Sequence, residues 1–314
     1  MSAELHVIFG AGQVGSRLAG LLLKAKKRVR VVKRSAGELP PGVELLLGDA
    51  ADPAFCIQAA AGSSTIYHCM NPPYYARVWA SLVPRYMDNL ILAAARAGAR
   101  LVVLDNVYML GRPVGRVLDE ETPINPCSRK GEIRARAAER MFEAHRRGDM
   151  LATTGRASDF YGPGGTLTHL GDQFWRQALK RKTARVLVNP DAVHTYHYIP
   201  DVAAGLAVLG TAPDDVYGKP WMLPCAPAGT LRDLVGGFSQ VLGREIRVAS
   251  VPRWMVTTLA VVVPLLGEIG EMQYQWDEPF VVSDRRFRER FGLQPEAPDV
   301  AAAATIAWAK QHYA

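Results

Sequence analysis

A glycine-rich turn placed between a strand and a helix constrains this chain more than any other feature. Leu5-His6-Val7-Ile8-Phe9 reads as a short strand, Gly10-Ala11-Gly12-Gln13-Val14-Gly15 follows at once, and residues 16–23 carry helical spacing. In a strand, G-x-G-x-x-G, helix unit, the first glycine permits the tight turn. The second lets the backbone approach a pyrophosphate, the third lets the helix pack on the sheet, and the helix N-terminus faces the phosphate charge. Glycines also mark ordinary turns, so a purely structural loop is the alternative. The flanking strand and helix favour a dinucleotide site made by Gly10, Gly12, Gln13, Val14 and Gly15.

The second strand bears on which dinucleotide. Arg28-Val29-Arg30-Val31-Val32 runs into Lys33-Arg34-Ser35, with no Asp or Glu where an acidic side chain commonly accepts from the adenosine ribose hydroxyls. Arg34, with Lys33 beside it, matches a 2′-phosphate instead, because a guanidinium fork fits phosphate geometry. The expectation is therefore NADP(H), against a basic loop of no cofactor role.

A chain of 314 residues can bury one large core or a core with an appended lobe. Its 49% apolar and 21% charged content exclude a disordered chain. The net charge of +7 suits an anionic cofactor, but no Lys/Arg block or aromatic-basic ladder points to nucleic acid. Cys56, Cys69, Cys127 and Cys225 are scattered without zinc spacing and read as reduced cysteines. A strand beginning at residue 5 with no basic-then-apolar leader points to a cytoplasmic protein. Residues 254–269 are strongly apolar but contain Pro264 and are short for a span. They are expected to form a buried or pocket-lining helix, with a membrane-facing surface as the alternative and no stable membrane insertion.

Further strands are expected at 43–47, 64–69, 101–104 and 150–156, alternating with helices at 53–61, 75–97 and 132–147. That alternation predicts an α/β fold with a doubly wound parallel sheet, helices on both faces, and ligands at the strands' C-terminal ends. Beyond residue 160 the pattern loosens. Helices are expected at 167–180, from a cap at Asp201 to Leu209, at 231–242 after Thr230, and at 300–312, with a strand at 185–188. Proline and glycine clusters at 161–165 and 219–229 read as turns bounding a smaller C-terminal lobe. The division expected is 1–165 for the cofactor domain and 166–314 mainly for a substrate lobe, interleaved with late sheet elements around 185–210.

Six segments occur in a telling order: residues 10–15, Gly48-Asp49, Tyr67-His68, 102–111, Arg156-Ala157-Ser158-Asp159-Phe160-Tyr161-Gly162-Pro163-Gly164, and Tyr198-Ile199-Pro200-Asp201-Val202-Ala203. Together they resemble the extended short-chain dehydrogenase/reductases of the NAD-dependent epimerase/dehydratase type. The resemblance implies a Rossmann-like domain with a small C-terminal substrate lobe. It also implies that Asp49 approaches the adenine, that Met70 and Asn71 pass the cofactor ribose, and that residues 161–164 lie near the nicotinamide.

The family's catalytic positions do not match. A Ser or Thr is placed five residues before the glycine that closes the fifth-strand motif; with Gly111 in that place, the position is Asn106. The family's Tyr-x-x-x-Lys then opens the next helix, its Tyr the acid/base and its Lys lowering the Tyr pKa and binding ribose. Aligned on Glu139, those positions hold Gly131 and Ala135, so the chain resembles the atypical branch. A well-placed acid/base contributes roughly 10²–10⁴-fold, and neither glycine nor alanine can exchange a proton. The candidates for replacement are Asn106, which can polarise a carbonyl, and Tyr108, which has a proton to give. Tyr74, Lys130, Asp159 and Tyr161 are candidate substrate contacts. The plain alternatives are packed aromatics and a solvated lysine at a helix start.

His194 and His197 lie three apart on a strand-like alternation without a convincing third ligand, so no metal site is expected and His197 reads as packed or hydrogen-bonded. Trp175, Trp221, Met222, Trp254, Met255, Trp276 and Phe280 fall in the less regular half, where they are expected either to line an apolar pocket or to build the core of a small lobe. The functional expectation is an NADP(H)-dependent oxidoreductase, monomer or homodimer, that reduces a small apolar or aromatic carbonyl or conjugated metabolite. The alternatives are a non-catalytic NADP(H) sensor and a nucleotide-sugar epimerase or dehydratase working by transient oxidation.

Overall fold

Strands made of consecutive apolar residues need cover on both faces, and in this chain helices alternate with the strands to supply it. The computed structural model describes residues 3–313. Strands β1 (Leu5–Phe9), β2 (Arg28–Lys33), β3 (Glu44–Leu47), β4 (Thr65–His68), β5 (Arg100–Asp105) and β6 (Ala152–Arg156) join Pro220–Met222 in a seven-stranded sheet. The order is Pro220–Met222, β6, β5, β4, β1, β2, β3, and every pair is parallel. The order reverses at β1, which lies between β2 and β4, so the crevice beyond the C-terminal ends of β1 and β4 is the topological switch point. This is the doubly wound, Rossmann-like α/β architecture with an additional C-terminal helical lobe.

Helices α1 (Gly15–Lys24), α2 (Pro53–Ala60), α3 (Ala76–Ala97) and α4 (Arg129–Arg146) cover this sheet. Asp52 starts α2 by accepting from the amides of Ala54 and Phe55, and Pro53 occupies the first helical position, where no amide hydrogen is missed. α3 ends on Gly98 in the left-handed region, φ 61°, which spares a Cβ penalty. Trp79, Val83 and Leu90 of α3 and Met141 of α4 pack with Val7, Phe9, Ile66, Leu101 and Val103 of the strands in one continuous core.

The chain divides into two compact units. The sheet unit comprises residues up to Met109, Arg129–Ala157 and Val202–Leu223; the second comprises Leu110–Ser128, Ser158–Asp201 and Pro224–Ala314. In the second unit, helix Asp172–Leu179 packs on Pro298–Tyr313, which packs on Leu231–Leu242. Trp175 lies between Phe174 and Phe238, with ring centroids 4.9 and 5.2 Å apart. Thr230 caps Leu231–Leu242 in a reciprocal box with Asp233. Strand pairs Asp159–Tyr161 with Tyr196–Tyr198, and Ala184–Val186 with Val248–Ser250, are both parallel.

Two local expectations are corrected. Asp201 does not cap a helix: it lies in the first turn of Ile199–Thr211, and its carboxylate accepts from the Glu296 amide at 3.0 Å. Burial pushes that carboxyl up to about 6. Residues 254–269 do not form a buried helix but two short ones, Arg253–Leu259 and Pro264–Gly270, because Pro264 cannot continue a helix begun before it. Trp254, Val261 and Val262 are exposed. Among the described residues, no helix is long and apolar enough to cross a membrane.

Two histidines of the sheet core make folding pH-dependent. Burial pushes His68 down to about 3, with the Arg134 charge adding to it, and pushes His6 down to about 4, with Lys27 adding to it. The unfolded chain takes up protons near pH 6.5 that the folded chain refuses. Their contribution is therefore complete above pH 6.5 and is lost as the pH falls toward those values. At pH 5 the loss is about 2 kcal/mol for each histidine. Urea unfolding at pH 7.5 and pH 5 checks this: the stability gap between wild type and His68→Gln should narrow by about 2 kcal/mol at the lower pH. An equal gap at both values would contradict it.

Candidate functional site

The turn after β1 is shaped by close approaches. Gly10 has φ +96°, and a Cβ there would come within 2.9 Å of the Cys69 carbonyl carbon and 2.8 Å of Met70 Cγ. A Cβ on Gly15 would run into the Gly10 carbonyl oxygen, whereas a Cβ on Gly12 would meet nothing within 4 Å. The turn is thus tight at Gly10, packed at Gly15 and open at Gly12. No side chain caps α1 and its first turn carries no acidic group, so its leading amides are suited to an anion. The open turn and the uncapped amides fit a pyrophosphate; Gln13 Oε1, buried with no hydrogen-bond partner among the described residues, is an acceptor and takes no part in that fit.

Around the adenosine end, Arg34 is exposed at the end of β2, and the Lys33 ammonium folds over Gly37. Asp49 is exposed and accepts from the Ala51 amide at 2.9 Å. Asn89 of α3 fixes that loop by donating to the Ala50 carbonyl at 2.8 Å.

Beyond β4 and β5 the sheet unit gathers a polar and aromatic cluster. Arg134 of α4 is buried; it donates to Asn71 Oδ1 at 2.8 Å, lies 3.6 Å from Asp105 Oδ1, and stands over the Trp79 ring at 4.8 Å. Asp105 accepts from the Asn106 amide at 2.9 Å. Burial pushes the Asp105 carboxyl up, and the charges of Arg134 and Arg156 oppose that rise. Asn106 Oδ1 accepts from the Tyr108 amide at 3.0 Å, closing the turn and leaving its Nδ2 hydrogens uncommitted to that contact. β5 ends at Asp105, and Tyr108 opens a 3-10 turn, so strand alternation does not set the direction of its ring. Stacking on Trp79 sets it, with centroids 6.2 Å apart and planes 10° apart. The Tyr74 hydroxyl donates to the Tyr108 hydroxyl at 3.2 Å. Lys130, fully buried, holds its ammonium 4.6 Å from the centre of the Tyr74 ring.

Asn71, Tyr74, Asn106, Tyr108 and Lys130, distant in sequence, therefore belong to one region of the sheet unit. Reading the sequence missed Trp79 and Arg134. The available signal was spacing: Arg134 stands four residues after Lys130, on the same helix face.

In the second unit Tyr161 is a core residue, 3% exposed, against Tyr198 and Phe238, and burial pushes its phenol up. Asp159 is more open and is surrounded by nitrogens: His194 Nε2 lies 3.0 Å and His169 Nε2 3.6 Å from it, and Trp276 Nε1 donates to it at 2.5 Å. Burial would raise the Asp159 carboxyl, but the two imidazoles outweigh it and hold it well below the usual range. His169 was not singled out from the sequence, and His194 was weighed only as a metal ligand. His197 is buried against Ser158, its Nδ1 3.0 Å from the Ser158 hydroxyl.

Of the two readings of the large side chains in the less regular half, core is the one their burial favours. Trp175, Trp221, Met222, Trp276 and Phe280 are all buried, while Trp254 is exposed. These large side chains build core, which is where most of their apolar area is removed from water.

The Arg134–Asp105 pair yields a stability prediction. Arg134→Met should cost about 3 kcal/mol, because it leaves a buried carboxylate without its cation. Adding Asp105→Asn should recover part of that loss. Urea unfolding of the two variants checks this; a double variant no more stable than Arg134→Met would contradict it.

Comparison with known proteins gives the family. Among solved structures, the chain is similar to the UDP-glucuronic acid 4-epimerase of Bacillus cereus in complex with NAD, at 14% identity and TM-score 0.79, covering 99% of this chain and 100% of that one. It is similar to MoeE5 in complex with UDP-glucose and NAD, at 19% identity and TM-score 0.76, covering 99% and 100%. It is similar to the dTDP-glucose 4,6-dehydratase of Bacillus anthracis in complex with NAD, at 14% identity and TM-score 0.77, covering 99% and 97%. At these identities the likeness is one of fold. No curated protein matches the chain. The NADP(H) expectation is overturned by the NAD found in these structures. The physical reason is that a basic side chain can also donate to a ribose hydroxyl oxygen, so Lys33 and Arg34 do not by themselves require a 2′-phosphate. The expected reduction of an apolar carbonyl by an NADP(H)-dependent oxidoreductase falls with it, since these relatives are sugar-nucleotide proteins. The profile of the NAD dependent epimerase/dehydratase family matches residues 7–221, more than half of the sequence, and the chain belongs to that family.

Proposed function

We propose that the chain binds NAD(H) in its sheet unit and acts on a nucleotide sugar by transient oxidation at a sugar carbon, as an epimerase or dehydratase. One observation carries this reading: an uncapped, open glycine turn and a tyrosine–lysine cluster occur at the C-terminal ends of β1, β4 and β5 in the same unit. Gly10, Gly12, Gln13, Val14 and Gly15 hold the pyrophosphate, Lys33, Arg34 and Asp49 the adenosine end, and Met70 and Asn71 the ribose. The bound cofactor supplies hydride acceptance. The sheet unit serves the cofactor and the second unit mainly the substrate, and the chain resides in the cytoplasm, where its free cysteines stay reduced.

The protein's own task is to accept the sugar hydroxyl proton as the carbonyl forms. Gly131 and Ala135 cannot do so. Tyr108 takes that role as the phenolate: a hydrogen bond from Tyr74 and the Lys130 ammonium beside Tyr74 stabilise its negative charge, and the proton taken from the sugar hydroxyl returns it to the neutral phenol. Asn106 donates its amide hydrogen to the reacting oxygen. Arg134 keeps the surrounding turns in place. A second reading, a non-catalytic NAD(H)-binding protein, is favoured by the missing Tyr-x-x-x-Lys.

Incubating the NAD⁺-loaded chain with UDP-glucose and UDP-glucuronate, followed by proton NMR, separates the readings. Conversion of the sugar is the expected result. Tyr108→Phe and Lys130→Met should each slow it by about 10²-fold or more while changing NAD⁺ affinity only slightly. NAD⁺ binding without conversion of either sugar would favour the second reading. No NAD⁺ binding would contradict both.

A further inference from the structure

The second unit contains an ionisable cluster that the hydride chemistry does not use. Asp159 begins the strand Asp159–Tyr161, His194 ends the strand Val193–His194, and Trp276 lies in the short helix Tyr274–Asp277. The two carboxylate oxygens have different surroundings. Oδ2 is enclosed: it accepts from Trp276 at 2.5 Å and lies 3.0 Å from His194 Nε2. His194 is itself fixed, its Nδ1 3.1 Å from the Gln275 carbonyl and its ring stacked on Phe280 at 5.5 Å. Oδ1 faces His169 Nε2 at 3.6 Å, and these are the open members, with Asp159 18% and His169 20% exposed. The His169 ring is held edge-on to Trp276, centroids 4.4 Å apart.

A gap of 3.6 Å is too long for a hydrogen bond and short enough for one oxygen to sit within about 2.8 Å of both atoms. The atom that fits must donate to a carboxylate and accept from an imidazole N–H. A hydroxyl does both at one oxygen; an ammonium only donates, and an anion is repelled by Asp159. Nor is a metal indicated: among the described residues, no group of three or more His, Cys, Asp or Glu side chains has metal-binding geometry.

We propose that Asp159 and His169 form a hydroxyl-binding edge that takes one hydroxyl of a sugar ligand, with Trp276 and His194 positioning the carboxylate. The choice of a nucleotide-linked sugar rests on the function proposed above; the edge itself does not.

The test uses the full chain with three probes: UDP-glucose, UDP and free glucose. Binding is followed by calorimetry, and the His169 imidazole by nitrogen-detected NMR, assigned through His169→Phe. The wild type should bind UDP-glucose about 10-fold more tightly than UDP, the worth of one charge-assisted hydrogen bond. The His169 resonances should move with UDP-glucose and not with UDP. His169→Phe, which keeps a ring against Trp276, and Asp159→Asn should each remove that preference while leaving UDP affinity unchanged. Equal binding of UDP and UDP-glucose by the wild type, or a preference surviving in both variants, would overturn the edge and leave the nucleotide reading intact. If neither nucleotide binds, the nucleotide-sugar reading fails, and free glucose in large excess decides the edge. A His169 shift lost in Asp159→Asn would then support it, and an unmoved His169 would overturn it.

Discussion

One buried guanidinium ties together the working parts of the sheet unit. Arg134 reaches from α4 to the turn after β4 through Asn71, to the end of β5 through Asp105, and to α3 through the face of Trp79. Each contact satisfies a different property of the group: its donors, its charge and its flat face. A lysine could supply the charge but not the planar fork and stacking surface. Because Trp79 also stacks on Tyr108 and meets Tyr74 edge-on at 5.6 Å, the position of the tyrosine pair follows from where Arg134 holds that ring. The burial of Lys130 four residues earlier follows from the same helix face turning inward.

The second ionisable cluster is built on the opposite charge arrangement. In the sheet unit a cation is buried among aromatic faces, with a carboxylate pushed up by burial. In the other unit a carboxylate is held down by two imidazoles and an indole. Each arrangement leaves one polar edge less enclosed than the rest: the tyrosine hydroxyl pair in the first and the Asp159–His169 edge in the second. Surrounding hydrogen bonds and ring contacts orient the reactive groups in both, which is the condition for a preorganised site.

What was legible in the sequence was local. The β1 strand, the glycine turn and α1 are contiguous, and the alternation of later strands and helices along the chain indicated a parallel sheet with ligands at its C-terminal edge. The Thr230 cap was visible because a capping box spans only four residues. What was not legible depended on distant partners. Asp201 looked like a cap until the Glu296 amide, far along the chain, was seen to take its carboxylate. The tryptophans could be read as pocket lining or as core, because composition cannot say which way they face in a small lobe. Arg134 looked like one more basic residue in a charged helix, and its partners come from three other segments. The NADP(H) reading failed for a related reason: a basic side chain at the end of β2 can also donate to a ribose hydroxyl, and sequence carries the charge but not the partner it meets.

The central claim is that the open turn at Gly12 holds NAD(H). Hydrogen–deuterium exchange of the full chain with and without NAD⁺ tests it most directly, because it locates the contact without requiring turnover. The account predicts slower exchange on NAD⁺ addition at residues 11–16 and 69–71, abolished by Gly12→Val, whose side chain would fill the open space. Unchanged exchange in those two segments at saturating NAD⁺, or protection confined to the second unit, would contradict it.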